Sequence, residues 1–235
     1  MARTPRLSGF DWKRIARELD ESGYGRLPGL LQPSECGELA ALYGEARRFR
    51  KRIVMEQHRF GAGEYQYFAY PLPPLVRSLR SRLYARLAPI ANAWRARLGS
   101  RERYPASLEE FLARCREHAQ TRPTPLLLHY RAGGYNRLHQ DLYGAVAFPL
   151  QFTCLLSKPG VDFTGGEFLL LEQRPRMQSR GEAIALEQGE AILFATRERP
   201  VPGPRGDSRA QMRHGVSVVR SGERTTLGII FHDAD

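Results

Sequence analysis

The second half of the chain is written as strands. From Leu126 onward, short apolar runs alternate with turns that carry Gly: LLLHYR, QFTCLLS, GGEFLLLE, EAILFAT, HGVSVVR and TTLGIIF. Each run is shorter than an ordinary globular helix and is bounded by breakers, and most are rich in β-branched or aromatic residues. The spacing therefore predicts an all-β sandwich or barrel over residues 126–235. Residues 197–212 (RERPVPGPRGDSRAQM), rich in Pro, Gly and Arg, read as a loop projecting from that unit.

The first half is patterned differently. Phe10, Ile15 and Leu19 recur near helical spacing until Gly23 and Gly25 end the run, and a short extended piece, GRLPGLL, follows. A second helix is expected with Ser34 as its N-cap. RIVMEQHRFGAGEYQYFAYPLPP reads as a hairpin or a pair of extended segments around Gly61 and Gly63. Leu75, Leu79, Leu83 and Leu87, then Ile90, Trp94 and Leu98, form a stripe that predicts a long helix kinked at Pro89, with Arg77, Arg80, Arg82, Arg86, Arg95 and Arg97 on its solvated faces. SLEEFLARCREHA predicts one more helix, after which Pro123 and Pro125 break the pattern.

Charge separates the halves as well. Residues 1–125 hold 21 Arg and 2 Lys against 13 acids, whereas residues 126–235 hold 12 Arg and 1 Lys against 12 acids, so nearly all of the net +11 sits in the N-terminal half. A one-sided positive field suits a polyanionic partner such as nucleic acid. The other reading is a merely solvated basic surface. Cys36, Cys115 and Cys154 are odd in number and show no C-x-x-C spacing, which argues against a disulfide framework or thiolate zinc site and for a reduced, cytoplasmic setting. No run approaches the roughly 18 apolar residues of a membrane span, and no apolar signal segment follows Arg3 and Arg6.

The chemistry concentrates in His139-Gln140-Asp141, with His214 lying 73 residues beyond Asp141 and Arg224 ten residues beyond His214. An H-x-D pair alone arises by chance in roughly one chain in five or six of such composition. Order and context lift it. Two imidazoles and one carboxylate on one face of a metal leave three adjacent positions open, which is how non-haem Fe(II) oxygenases take a bidentate cosubstrate and O2 together. The i, i+2 spacing suits an extended segment, and a neighbouring strand must bring His214. Ser221-Gly222-Glu223 is expected to turn the chain so that Arg224 returns beside His214. A buried Arg needs an anion, and the distal carboxylate of 2-oxoglutarate fits its fork, with Thr226 facing the same way.

Other groups carry weaker claims. His232 in the terminal FHDAD has Asp233 and Asp235 beside it, but a chain terminus is expected to fray. His129 should point away from Tyr130's face, and His58 and His118 have no carboxylate at ligand spacing. Tyr65, Tyr67, Phe68 and Tyr70 suit either a core strand or base stacking. Asn136 and Arg137 either meet substrate or shape the turn before the metal strand, and Gly165-Gly166 reads as turn chemistry.

With these residues in order, the segment from Leu126 to Asp235 resembles the double-stranded β-helix core of the 2-oxoglutarate/Fe(II) oxygenase superfamily. The string LHYRAGGYNRLHQD is similar to the matching strand and turn of AlkB-like nucleic-acid demethylases, whose Tyr nine residues before the first metal His contacts 2-oxoglutarate; Tyr130 holds that position here. The whole chain, including EYQYFAYPLP, resembles a bacterial oxygenase family provisionally described as acting on damaged DNA. Two departures stand out. Leu128 replaces the Asn usual two residues before that Tyr, and the position of Arg224 resembles the prolyl-hydroxylase-like branch.

The resemblance implies an α+β protein: a double-stranded β-helix, or jelly-roll, core over 126–235, with residues 1–125 as a helical, basic annex packed on it in one structural domain. It implies Fe(II) on His139, Asp141 and His214, 2-oxoglutarate held by Arg224, Tyr130 and Thr226, and O2 as oxidant. Hydroxylation of a C–H bond follows, with an alkylated nucleobase as leading substrate. A protein side chain or small metabolite is the alternative, and a non-catalytic β-barrel binding protein the third reading.

Overall fold

The computed structural model describes residues 7–204 and 206–235; Arg3 and Arg6 of the basic half, and Arg205, lie outside them. Helix α1, Trp12–Ser22, begins where the Asp11 carboxylate accepts from the backbone of Lys13 and Arg14 at 3.0 Å, and it ends at Gly23, whose φ of 82° closes the last turn. Strand β1, Tyr24–Leu27, follows at once. Helix α2, Pro33–Ala41, starts two residues earlier than Ser34 capping requires: Pro33 takes the first helical position and the Glu35 carboxylate accepts from the Gln32 N–H at 2.8 Å.

Next come β2 (Phe49–Val54), β3 (Gly61–Ala62) and β4 (Glu64–Phe68). Helix α3, Pro74–Arg97, continues through Pro89 as one element, and α4 spans Leu108–Glu117. Arg80 departs from the solvated-face expectation. It lies within the buried stripe, 1% exposed, with its guanidinium on Asp233 at 2.7 Å and on the Phe231 carbonyl at 2.9 Å.

The second half supplies β5 (Leu126–Arg131), β6 (Tyr135–His139), β7 (Leu150–Leu155), β8 (Phe163–Gly165), β9 (Phe168–Gln173), β10 (Arg180–Ile184), β11 (Ala191–Ala195), β12 (Glu198–Gly203), β13 (Gly206–Val216) and β14 (Val219–Ile230). All pair antiparallel, in two sheets. The larger runs β1-β11-β7-β14-β5-β4-β2 with β8 beside β14; the smaller runs β10-β9-β13-β6-β3 with β12 beside β13. The N-terminal part is thus more than helical: it supplies β1, β2 and β4 to the larger sheet and β3 to the smaller. Alternation on β14 puts Arg224, Thr226 and Ile230 on the inner face, while Leu227 and Ile229 join the core on the other. On that core side, α3 packs Tyr84 against Phe111, Phe148 and Phe231. Each such aromatic or Leu side chain, fully buried, contributes roughly 1.5–3 kcal/mol.

Two sequence expectations are corrected here. Residues 197–212 are not a projecting loop: β12 and β13 form a hairpin whose pairing runs from Glu198 opposite Gln211 to Gly203 opposite Gly206. Pro200 and Pro202 misled because β12 pairs with β13 alone, and an edge strand can spare an N–H. Ser221-Gly222-Glu223 is not the reversal before Arg224, because all three residues lie inside β14; the chain crosses from the smaller to the larger sheet at Ser217-Val218. Gly222 instead sits at φ 73° where a Cβ would fall 1.9 Å from the Asp162 carbonyl, so it admits close approach of the 162–163 segment. No helix of the described residues is long and apolar enough to cross a membrane.

Candidate iron and cosubstrate site

The site begins with a register. β6 and β13 are neighbours, and His139 stands directly opposite His214, with ring centroids 4.2 Å apart. Asp141 follows just past the end of β6. Its Oδ2 lies 3.3 Å from His214 Nε2 and its Oδ1 3.6 Å from His139 Nε2, and ligand atoms of all three residues fall within 4.8 Å of one another.

Neighbours fix each of the three. His139 Nδ1–H donates to the Arg137 carbonyl at 2.7 Å, so its Nε2 lone pair faces Asp141. His214 is packed by the rings of Phe194 and Phe168, at 4.8 and 5.9 Å. Tyr143 Oη donates to Asp141 Oδ1 at 2.7 Å and accepts from Tyr67 Oη at 3.2 Å. Gln140 points away and its amide donates to the Met212 carbonyl at 2.8 Å, pinning the H-x-D turn to β13. Burial pushes the Asp141 carboxyl up, but the hydrogen bond and charge of His214, the charge of His139 and the Tyr143 hydroxyl outweigh it and hold the group well below the usual carboxylate range. Burial, and then the charge of His139, push His214 down despite Asp141. An ionised carboxylate beside a neutral imidazole is the state that binds a divalent metal.

Arg224 stands opposite Tyr130 on the pair β14 and β5. It is 2% exposed, and Nε and Nη1 have no partner among the described residues. Its carbon Cζ lies 5.7 Å from the Tyr130 ring and 5.9 Å from that of Phe163, and burial lowers its pKa to about 10. Gly166 makes room for this side chain: at φ 65°, a Cβ there would meet Arg224 Cδ at 2.8 Å. That role was hidden in what reads as a turn. A buried guanidinium without a counter-anion is costly, so the geometry suits an anionic ligand.

A cavity of about 420 Å³ holds the triad, Arg224 and Thr226 on one continuous lining. Tyr130 stands behind that lining, yet its buried hydroxyl lacks a partner too. Leu128 contributes an apolar side chain to the wall, and Tyr65 and Tyr67 line it from β4, whereas Phe68 is in the core and Tyr70 is bound to Asp233. Asn136 and Arg137 also reach the lining. His129 shares a hydrogen bond with Thr225 on the opposite face, as alternation requires. His232 is not frayed: it is fully buried and its Nδ1 accepts from the Phe148 N–H at 3.2 Å.

Sequence reasoning passed over Gln151 and Tyr143. Gln151 is 3% exposed, faces the cavity opposite Ile230 and Phe194, and its amide nitrogen has no partner. A lone amide on the inward phase of the apolar run LQFTCLL was the available signal.

Fold and site together define a 2-oxoglutarate- and Fe(II)-dependent oxygenase, an enzyme that uses Fe(II), 2-oxoglutarate and O2. Residues 63–234 match the family described as "Oxygenase, catalysing oxidative methylation of damaged DNA", and the chain belongs to that family. Two uncharacterized proteins of Mycobacterium tuberculosis, from strains CDC 1551 / Oshkosh and ATCC 25618 / H37Rv, are each 52% identical over 190 residues, covering 79% of this chain and 82% of theirs. The fold is similar to a Pseudomonas putida prolyl-4-hydroxylase (TM-score 0.54, 12% identity, 96% of this chain and 100% of that one). It is also similar to an oxidoreductase of the 2OG-Fe(II) oxygenase family from Burkholderia pseudomallei (TM-score 0.56, 17% identity, 97% and 95%). The reading as a non-catalytic barrel is thereby set aside.

Proposed function

We propose that this enzyme hydroxylates an N-alkyl group on a nucleobase, with iron on His139, Asp141 and His214 and the distal carboxylate of 2-oxoglutarate on Arg224, Thr226 and Tyr130. The observation that carries the site assignment is the partnerless Arg224 guanidinium, buried on the same 420 Å³ cavity as the triad. The cavity suits a small dicarboxylate anchored at one side of the barrel and presented to the metal at the other.

The bound iron and cosubstrate supply the oxidation: O2 converts 2-oxoglutarate to succinate and CO2 as a substrate C–H becomes C–OH. The protein's part is position. Arg224 binds the anion as a bidentate fork, and the hydroxyls of Thr226 and Tyr130 are free to donate to it. The Arg137 carbonyl fixes the His139 tautomer, Tyr143 aims the Asp141 carboxylate, and Phe168 and Phe194 keep water from the His214 face. A hydroxylated N-methyl group loses formaldehyde without further help from the protein.

Support for a nucleobase comes from the basic N-terminal half and the damaged-DNA description of the family. Residues 126–235 form the catalytic core in this reading, with 1–125 packed on it, acting in a reducing cytoplasm where the buried cysteines stay free. The test is turnover of methylated single-stranded oligonucleotides. Succinate and formaldehyde in equal amounts are expected, and absence of 2-oxoglutarate-dependent demethylation from every methylated base would overturn the substrate. A second reading, hydroxylation of a protein side chain or metabolite, is favoured by the tenth-position spacing of Arg224 and would show as succinate release from peptide or metabolite pools instead.

A further inference from the structure

The inner face of the larger sheet does not stop at the cavity. Tyr65 and Tyr67 line the cavity from β4, and the edge strand β2 sets Ile53 opposite Tyr65 and Lys51 opposite Tyr67, so the same face continues outward to a free sheet edge. There the Arg50 guanidinium lies 4.6 Å over the Tyr67 ring and donates to the Pro123 carbonyl, beside exposed Arg122. β2 then leads through residues 55–58 to the lip of the cavity. The lip is built from Arg59 and Phe60 on one segment and Arg137 and Leu138 on the next, joined where the Arg137 N–H donates to the Phe60 carbonyl at 2.8 Å. Phe60 is 46% exposed and Leu138 41%, and the His58 ring stacks on Phe60 at 5.3 Å while Arg137 lies 5.7 Å over the Tyr135 ring.

Charge on this path is predominantly positive. Arg50, Lys51, Arg59, Arg122 and Arg137 make no ion pair among the described residues. Of the acids on the same segments, Glu64 is held by Arg52 and Glu56 accepts from the Gly63 N–H. Asp141, inside the cavity, is the only acidic residue of its lining among the described residues. Cations interleaved with flat rings, His58 and Phe60 exposed and Tyr135 and Tyr65 half-buried, lead into a buried cavity and match a strand whose phosphates meet the cations and whose bases stack on the rings.

We propose that this path from β2 to the 58–60 and 135–138 lip is a track for single-stranded nucleic acid, delivering one unstacked base past Tyr65 and Tyr67 to the triad. The proposal rests on the nucleobase reading above. Single-stranded rather than duplex substrate follows from the site's depth: a base must leave its stack to bring an alkyl group within the barrel.

The test uses protein loaded anaerobically with Fe(II) and 2-oxoglutarate, and fluorescence polarisation of a labelled single-stranded 20-mer across a salt series. Arg59→Ala/Arg137→Ala and Lys51→Ala/Arg122→Ala change exposed side chains only, and persistence of the Fe(II)-2-oxoglutarate charge-transfer band verifies that each variant keeps its site. Each pair should weaken binding about 10-fold near 0.1 M salt and flatten the log–log salt slope by about 0.7 for each phosphate no longer neutralised. Arg77→Ala/Arg86→Ala, on α3 and outside the cavity lining, should bind as the parent does. Parent-like binding by both path variants, or weakening confined to the α3 variant, overturns the track while leaving the nucleobase reading intact. An intact charge-transfer band with no salt-sensitive oligonucleotide binding sinks that reading and the track together. Both also fail if an acidic peptide, and not the oligonucleotide, is bound and loses affinity in the path variants.

Discussion

In the proposed reading, Arg224 gives up stability that a ligand returns. Its buried charge has no partner among the described residues, so Arg224→Met should raise the stability of the ligand-free enzyme by about 1–2 kcal/mol. The same change should weaken 2-oxoglutarate at least about 100-fold, if a buried charge pair is worth about 3 kcal/mol. Urea unfolding without ligand and titration of the charge-transfer band measure the two effects, and a variant less stable than its parent would contradict the account. His232 offers a pH signature. Burial, and then the charge of Arg80, lower its pKa from 6.5 to about 4. The unfolded chain therefore takes up this proton below pH 6.5 while the native one resists until about 4. The stabilisation is complete above 6.5 and is lost as pH falls through that window, by roughly 3 kcal/mol in all. His232→Asn, which can still accept from the Phe148 N–H, should flatten the acid limb of stability between pH 6.5 and 4.

At the scale of elements, the β12–β13 hairpin matters because β13 carries His214. A buried ion pair ties it down: Arg199 on β12 donates through Nε to Glu172 on β9 at 2.9 Å, and its other nitrogens reach the carbonyls of Asp20 and Glu21 at the end of α1. Arg97 on α3 holds Asp207 of the hairpin at 2.7 Å. Arg199→Ala strands the Glu172 charge beside Arg174 alone, so a loss of about 3 kcal/mol is expected in urea unfolding, with weaker Fe(II) binding as the β13 register loosens. Retained Fe(II) affinity at that cost would show that the hairpin is a structural clamp only. The elements themselves were mostly legible. α1 with its Gly23 stop, α3 and α4 follow from periodicity and breakers, and the strand runs from Leu126 fall where β5, β7, β9, β11, β13 and β14 lie. The hairpin was not, because Pro and Gly mark a turn and an edge strand with the same letters. Arg80 was misread for a related reason: a pattern of polar residues shows which face each occupies but not that a distant acid, Asp233, waits there.

The molecule as a whole depends on pairings between its halves. β11 is covered by β1 and β5 by β4, and the outer face of the larger sheet is closed by α3. Residues 126–235 expressed alone should lose near-ultraviolet circular dichroism and cooperative unfolding, since two sheet edges and an apolar face would be bared together; a cooperatively folding fragment would mean the annex is dispensable. By itself, the sequence carried the class of chemistry: the order of His139, Asp141, His214 and Arg224 nominates two imidazoles and a carboxylate for a metal and a cation for an anion, because ligand type is a local property. Tertiary structure decided the rest. It set His139 opposite His214, placed the reversal at Ser217-Val218, opened Gly166 for Arg224, turned Gln151 inward and left a cationic path to the mouth. Each of these is a relation between segments far apart in the chain, set by which strands pair and in what register.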